Sequence, residues 1–368
     1  MKKILLIDYD YPEGGPKTVA ANLMRSALAK KYEFKVISIN NKAATLHYHP
    51  LKAIKFLRYY IKRINAEKAD IAYIRGLEYV GFLMTLAAWI SNVRSTILVV
   101  HGSSWDIKGN SLRQIFLKYI IEPIEVCLAD KVYTVCQAEQ KTAKCLRFAR
   151  KNANIGTIYN SFPTVDYESI LPGKLRSMLH IPPEKIIVSI VGRVTERKGH
   201  RYVIEALHKM HSPDFVFVII GDGEFVEKYR RECADDIKDG RLFILGSRNN
   251  VYELFRDTDI FLFPTLNENH SMALLEAVAM RCATVVTNVG GNIETIENGV
   301  SGVVIEPANA DEIIKGLMSL HNKKTREKLA SRAYDYCRLA FSEEKTISKL
   351  NELFSSLPAA STRKERKK

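Results

Sequence analysis

Arg193 and Lys198 stand five residues apart between glycines, in the run Val191-Gly192-Arg193-Val194-Thr195-Glu196-Arg197-Lys198-Gly199. An apolar stretch at 186–191 leads into it, so both cations are expected at the carboxyl end of a strand. Glycine lets backbone approach a ligand closely. Arg supplies a planar fork and Lys a point charge, a pairing that suits a diphosphate. An ordinary solvated basic loop has the same composition, so this run alone decides nothing. A second run is Pro264-Thr265-Leu266-Asn267-Glu268-Asn269-His270-Ser271-Met272-Ala273-Leu274-Leu275-Glu276. Glu268 follows the apolar stretch 260–263, and Glu276 comes eight residues later. With a helix starting near Ser271, Glu276 falls in its second turn. A carboxylate there can accept two hydrogen bonds from a vicinal diol such as a ribose. The amides of Asn269, His270, Ser271 and Met272 would face an anion or sugar oxygens. Taken alone, Glu276 is an ordinary helix-face residue.

Weaker signals surround these runs. Gly221-Asp222-Gly223 ends a strand but lacks the third glycine of a dinucleotide fingerprint. Gly14-Gly15-Pro16 sits between the first strand and a helix, where a phosphate-adjacent turn or a plain turn would lie. His101 closes Val99-Val100-His101-Gly102 at another strand end. Asp8-Tyr9-Asp10 has the form of a metal-binding DxD, but no further carboxylate lies nearby in sequence.

The elements that must position these residues come in two series. The first has short apolar runs at 4–8, 34–39, 71–74, 96–100, 131–135 and 156–159. The second has them at 186–191, 215–220, 242–245, 260–263, 283–287 and 303–305. Most are apolar throughout, as in strands buried on both faces, and the connections are long enough for helices. Between the series, residues 161–183 contain Pro163, Pro172, Gly173, Pro182 and Pro183. Two doubly wound α/β domains follow, at 1–170 and 171–340. A terminal helix is expected at 341–357 and a disordered basic tail at 358–368. Such sheets bind ligands at the carboxyl ends of their strands.

Composition narrows the class of partner. The 368 residues, 46% hydrophobic and 26% charged, exclude a disordered chain and a disulfide mini-protein. Residues 1–170 hold 25 Lys and Arg against 14 Asp and Glu; residues 171–360 hold 25 against 26. Excess charge gathered in one half points to an anionic partner there. The six cysteines form no C-x-x-C pair and have no histidine cluster beside them in sequence, so zinc is not expected and the thiols fit a reducing cytosol. The first residues read as a strand rather than a signal peptide, and no apolar stretch approaches the ~20 residues of a membrane helix. On a helical wheel over 51–64, Ala53, Ile54, Leu57, Tyr60, Ile61 and Ile64 share one arc. Lys52, Lys55, Arg58, Lys62 and Arg63 occupy the other, with Phe56 and Tyr59 on or beside it. A cationic face bearing aromatics is expected to lie on anionic lipid. No nucleic-acid-binding motif accompanies the charge.

Taken in order, the motifs resemble the retaining family-4 glycosyltransferases of the GT-B fold. The likeness covers about 1–357 and is strongest over 185–307. There Gly192-Arg193, Lys198-Gly199, Gly221-Asp222-Gly223, Leu245-Gly246, the spaced Glu268 and Glu276, Val289-Gly290-Gly291-Asn292 and Asn298-Gly299-Val300-Ser301-Gly302 recur at family spacing. The resemblance implies two Rossmann-like domains facing across a cleft. It implies that Arg193 and Lys198 neutralise the donor diphosphate, and that Glu268 holds hydroxyls of the transferred sugar. Glu276 would bind the ribose, and Asn269, His270, Ser271 and Met272 would line sugar and phosphate. Gly192 and Gly221 would let backbone approach the donor, Gly246 and Arg248 would flank the base, and Gly14 and Gly15 would pack on the diphosphate. His101 would stand near the reacting centre, and the terminal helix would cross back onto the first domain. The chain departs from the family pattern at Asn269, at Ser271, at Arg281-Cys282-Ala283 and at Asn160-Ser161-Phe162-Pro163.

The expected activity is metal-independent retaining transfer of a sugar from a nucleotide sugar, UDP favoured over GDP, to a membrane-bound saccharide in bacterial surface polysaccharide synthesis. No cofactor is expected. The expected place is the cytoplasmic face of the membrane. A non-hydrolysing sugar-nucleotide epimerase and a non-catalytic membrane-associated GT-B protein are the alternatives.

Overall fold

The computed structural model describes residues 1–9, 15–39, 50–106 and 111–358. Gly14, Asp10 and the tail from 359 lie outside the described residues. The chain divides into two units, 1–160 with 344–368, and 161–343.

The first unit carries a parallel sheet of β1 (Lys2–Tyr9), β2 (Tyr32–Ile39), β3 (Ile71–Arg75), β4 (Ser95–Val100), β5 (Lys131–Thr134) and β6 (Asn154–Thr157), in the order β2-β1-β3-β4-β5-β6. The second carries β7 (Ile186–Val191), β8 (Phe215–Ile220), β9 (Leu242–Ile244), β10 (Ile260–Phe263), β11 (Ala283–Thr287) and β12 (Val303–Ile305), in the order β12-β11-β10-β7-β8-β9. Strands covered on both faces bury every residue, as β4 and β8 do. The edge strand β2 exposes part of its length and carries Glu33 and Lys35, charges that blunt a free edge. Each order reverses once, between β1 and β3 and between β7 and β10. Helices leave opposite faces of the sheet on either side of such a reversal, which opens a crevice beyond the strand ends.

Residues 161–170 belong to the second unit, so the junction lies at 160/161 rather than the expected 170/171. Phe162 is the reason. Its amide donates to the Phe341 carbonyl at 2.7 Å, and its ring meets Tyr334 at 5.6 Å. Those contacts also hold 341–343 in the second unit, and the chain passes to the first unit at 343/344. The helix Glu343–Ser356 then buries Leu350, Leu353 and Phe354 in the first unit's core, where the Phe354 ring lies 5.3 Å from Tyr32 and 5.9 Å from Tyr73. Lys2 Nζ donates to the carbonyls of Phe354 and Leu357, a cation at the helix's carboxyl end.

Candidate active site

Lys198 and Glu268 meet at the reversal of the second sheet. Lys198 ends a 3₁₀ turn (Glu196–Lys198) beyond β7, and Glu268 lies in the loop beyond β10. Backbone close approach locks the two loops together. Gly199 has φ +71°, and a Cβ there would stand 2.0 Å from the Pro264 carbonyl oxygen. The Arg197 carbonyl accepts from the Leu266 amide at 2.8 Å and from Thr265 Oγ1 at 3.1 Å. From below, the turn after β11 presses on the same loop: Gly290 has φ +45°, and a Cβ there would stand 1.7 Å from the Glu268 carbonyl oxygen. Any side chain at either glycine would push Lys198 and Glu268 apart.

So placed, Lys198 Nζ pairs with Glu268 Oε2 and lies 4.9 Å above the Phe263 ring. Burial acts to raise the Glu268 carboxyl, but Lys198, Arg197 and the Asn269 amide outweigh it and hold it below the ordinary carboxylate value. The site therefore contains a fixed anion and a fixed cation that neutralise each other.

Neighbouring positions divide by what holds them. Gly192 and Gly221 carry the backbone crossing of the loops after β7 and β8: the Gly192 amide donates to the Ile220 carbonyl, and the Gly221 amide to the Gly246 carbonyl at 2.9 Å. Arg193 and Arg248 are exposed on these loops. Ser271 caps the helix Met272–Ala279, its oxygen accepting from the Leu274 amide, so its hydroxyl is engaged in starting the helix. Asn269 and Met272 are buried. The His270 ring turns into the core, 4.5 Å from Phe341, and burial depresses its pKa to about 3, so it is neutral. Glu276, in the second turn as expected, is half-buried, and burial lifts its carboxyl to about 7. Tyr252, in the helix Val251–Phe255, is raised by its own burial and then by the nearby Glu276 charge. Neither Tyr252 nor Phe263 carries a sequence motif that marks it for the site.

In the first unit, His101 follows β4. Arg75 Nε donates to His101 Nε2 at 3.4 Å, and burial with the Arg75 charge lowers its pKa to about 3. The ring is thus a neutral imidazole, with the proton assigned to Nδ1. Arg75 Nη1 also donates to Asp8 Oδ2 at 2.9 Å. Asp8 is therefore bound to a guanidinium. Gly15 opens the helix Gly15–Arg25 after β1.

The expected lipid face needs one correction. On the helix Pro50–Glu67, Lys52, Lys55, Arg58, Tyr59 and Lys62 are exposed. Arg63 lies over the Tyr59 and Tyr60 rings, 5.7 and 5.9 Å from their centroids. Phe56 is not on that face: it packs on the core, its ring 4.5 Å from Tyr60. A second apolar surface went unnoticed in the sequence. The turns Leu112–Phe116, Leu117–Ile121 and Glu122–Leu128 follow one another without a break. Along them Leu112, Ile115, Phe116, Tyr119, Ile120 and Ile124 are between 41% and 87% exposed. Their spacing of three and four is one helix face. Trp105 joins this face to a basic patch, 5.1 Å from the Tyr119 ring, with Lys144 5.2 Å above it. Beside Lys144 a surface depression is lined by Lys141, Arg147, Gln140 and Asn154. Among the described residues no helix is long and apolar enough to cross a membrane.

Two doubly wound domains, each on a parallel six-stranded sheet, place the chain in the GT-B class of fold. Solved structures of that class superpose on most of the chain. Sucrose-phosphate synthase from Thermosynechococcus elongatus does so with a TM-score of 0.78 at 16% identity, over 98% of this chain and 100% of that one. Anabaena HepE in complex with UDP gives 0.72 at 18% identity, over 97% and 100%. Residues 174–336 match the family model of glycosyl transferases group 1. The UDP-Gal:alpha-D-GlcNAc-diphosphoundecaprenol alpha-1,3-galactosyltransferase of Escherichia coli is 27% identical over 83% of this chain and 80% of its own length. The chain is a glycosyltransferase.

Proposed function

We propose that this glycosyltransferase moves a sugar from a UDP-sugar to a lipid-diphosphate-linked saccharide in bacterial surface polysaccharide assembly, with retention at the anomeric carbon and without metal. The observation that carries the reading is the Lys198–Glu268 pair at the reversal between β7 and β10. As the anomeric bond breaks, charge grows on the leaving diphosphate. Lys198, with Arg193 exposed nearby on the same loop, answers that charge. Glu268, released from Lys198, accepts from hydroxyls of the transferred sugar. Glu276 accepts from the ribose, and Lys198 together with Arg193 takes the place of a metal ion. Glu268 is engaged by Lys198 and Arg197, and same-face attack assisted by the leaving phosphate needs no side-chain nucleophile. The UDP preference rests on the UDP bound by the HepE neighbour, and the lipid-linked acceptor on the Escherichia coli relative. The membrane placement rests on the exposed faces of Pro50–Glu67 and of residues 112–124.

The test incubates the purified chain with a panel of nucleotide sugars, with and without polyprenyl-diphosphate-linked GlcNAc in anionic vesicles. Vesicle-dependent release of UDP and an axially retained linkage by NMR are expected. An epimerised donor formed without acceptor would replace this reading with the epimerase. No turnover of any donor, with UDP still bound, would make the chain a binding protein.

A further inference from the structure

The other edge of the second sheet holds a cluster that the proposed transfer does not use. The helix His200–Lys209 runs back from the Lys198 loop, so its last turn, with His208, lies at the amino-terminal edge of β8. Cys233 and Asp236 come from the corner between the helices Val226–Glu232 and Ala234–Lys238. Cys233 is the residue before the second of these helices, and Asp236 lies in that helix's first turn. His208 Nε2 stands 3.2 Å from Asp236 Oδ2 and 3.8 Å from Cys233 Sγ, and all three atoms lie within 4.8 Å of one another.

We infer that His208, Cys233 and Asp236 form a three-ligand site for a zinc-like divalent cation, with a fourth position left to water or a small ligand. Bonds of about 2.0–2.3 Å at tetrahedral angles separate N, O and S ligands by about 3.3–3.6 Å. The observed separations need only small rotations to reach that. Thiolate and carboxylate together neutralise a dication, and the thiol proton, with any proton shared between His208 and Asp236, leaves to solvent as the metal enters. The carboxylate is already held for the task. Arg241 Nη1 contacts Asp236 Oδ1 at 3.0 Å and leaves Oδ2 toward His208. Arg241 is itself anchored by the Leu207 and Met210 carbonyls, each at 2.8 Å. Such a partner orients a ligating carboxylate. Cys233 and Asp236 are buried and His208 is exposed, so the site is closed on the protein side and open on the solvent side. Being at the opposite edge from Lys198, the metal would clip helices together and take no part in sugar transfer. Sequence spacing hides the site because His208 is 25 residues from Cys233.

The test is direct metal binding by the full chain. After chelator treatment and gel filtration, zinc is titrated against a chromophoric chelator and cobalt is added in parallel. We expect one zinc per chain, and with cobalt a thiolate-to-metal charge-transfer band in the near ultraviolet. Cys233→Ser should abolish the band. His208→Gln, at an exposed side chain, should weaken zinc at least tenfold while circular dichroism stays unchanged, which keeps the test valid if Cys233→Ser fails to fold. Arg241→Gln should weaken it about 10- to 100-fold. Cys127→Ser, at the exposed thiol, should change nothing. Zinc binding equal in wild type, Cys233→Ser and His208→Gln would overturn the inference, leaving a plain His208–Asp236 ion pair. So would a wild type that takes up no zinc.

Discussion

Each sheet reverses its strand order once, and each reversal carries one ion pair, yet the two pairs are built differently. In the first unit Asp8 and Arg75 are strand residues, one position beyond the paired Ile7 and Ile74 of β1 and β3. Their side chains are 10% and 2% exposed. In the second unit Lys198 and Glu268 come from loops past the strand ends and are 15% and 13% exposed. The sheet register fixes the first pair, whereas loop packing at Gly199 and Gly290 fixes the second. A register-bound pair cannot change partners without separating strands. A loop-borne pair can exchange its partner for a ligand. On the proposed function the exchangeable pair at the second reversal does the chemistry, while the pair at the first ties β1 to β3 and adds the Arg75 charge to the burial that keeps His101 neutral.

The comparison is sharpened most by Arg75→Met. It leaves a buried carboxylate without its guanidinium, and breaking such a pair costs about 3–5 kcal/mol. Urea unfolding should show that loss in the first unit's transition, with part of it recovered in the Asp8→Asn/Arg75→Met double variant. A loss no larger than that of an exposed pair would mean that the sheet does not depend on it.

Next in size is the loop-borne pair. Lys198→Ala leaves Glu268 beside Arg197 and the Asn269 amide, so stability should fall by less than in Arg75→Met. Transfer should fall by about 100- to 1,000-fold, the worth of about 3–4 kcal/mol of transition-state stabilisation. Arg193→Ala should behave in the same way. Turnover of either variant within threefold of wild type, in steady-state assays at saturating acceptor, would remove that residue from the mechanism. Equal destabilisation by Lys198→Ala and Arg75→Met would erase the distinction between scaffold pair and working pair.

The strands were readable from sequence because parallel strands buried on both faces are apolar without interruption, and all six of the second series stand where such runs occur. At β6 the apolar signal at Ile158 and Tyr159 drew the expected strand past Asn154–Thr157. Ile158 does continue the pairing, its amide donating to the Thr134 carbonyl at 3.0 Å. Lys198 and Glu268 were readable because motif order placed them just past strand ends, and Glu276 because it fell in the second turn of the following helix. What escaped depends on tertiary partners. The Asp8–Arg75 pair needs the β1–β3 register, and Tyr252 reaches Glu276 only through helix packing. Phe56 fell beside the cationic arc of the wheel, but its long ring reaches Tyr60 and the core. Leu112, Phe116 and Tyr119 look like any buried helix in sequence, yet among the described residues they stand exposed.

The smallest expected effect tests whether Glu276 is part of the working reversal or of its scaffold. Its carboxyl rises from an ordinary 4.5 to about 7 through burial. A raised carboxyl costs nothing below pH 4.5, where folded and unfolded chains both hold the proton. Between 4.5 and 7 the unfolded chain releases it first, so stability declines with rising pH, and above 7 the full cost is present. Glu276→Gln removes that cost. Thermal unfolding should therefore place the variant level with wild type at pH 4.5 and above it at pH 8. Binding should move the other way. Replacing the carboxylate by a neutral amide weakens its hydrogen bonds to a diol, and a charge-assisted bond is worth about 1.5–3 kcal/mol. UDP affinity, read by calorimetry, should fall about 10- to 100-fold, and 2′-deoxy-UDP affinity much less. A gain in stability at pH 8 with equal losses for both nucleotides would leave Glu276 a strained helix residue that no ribose touches. A gain with unequal losses would make it a group whose burial is tolerated because a ribose hydroxyl completes it.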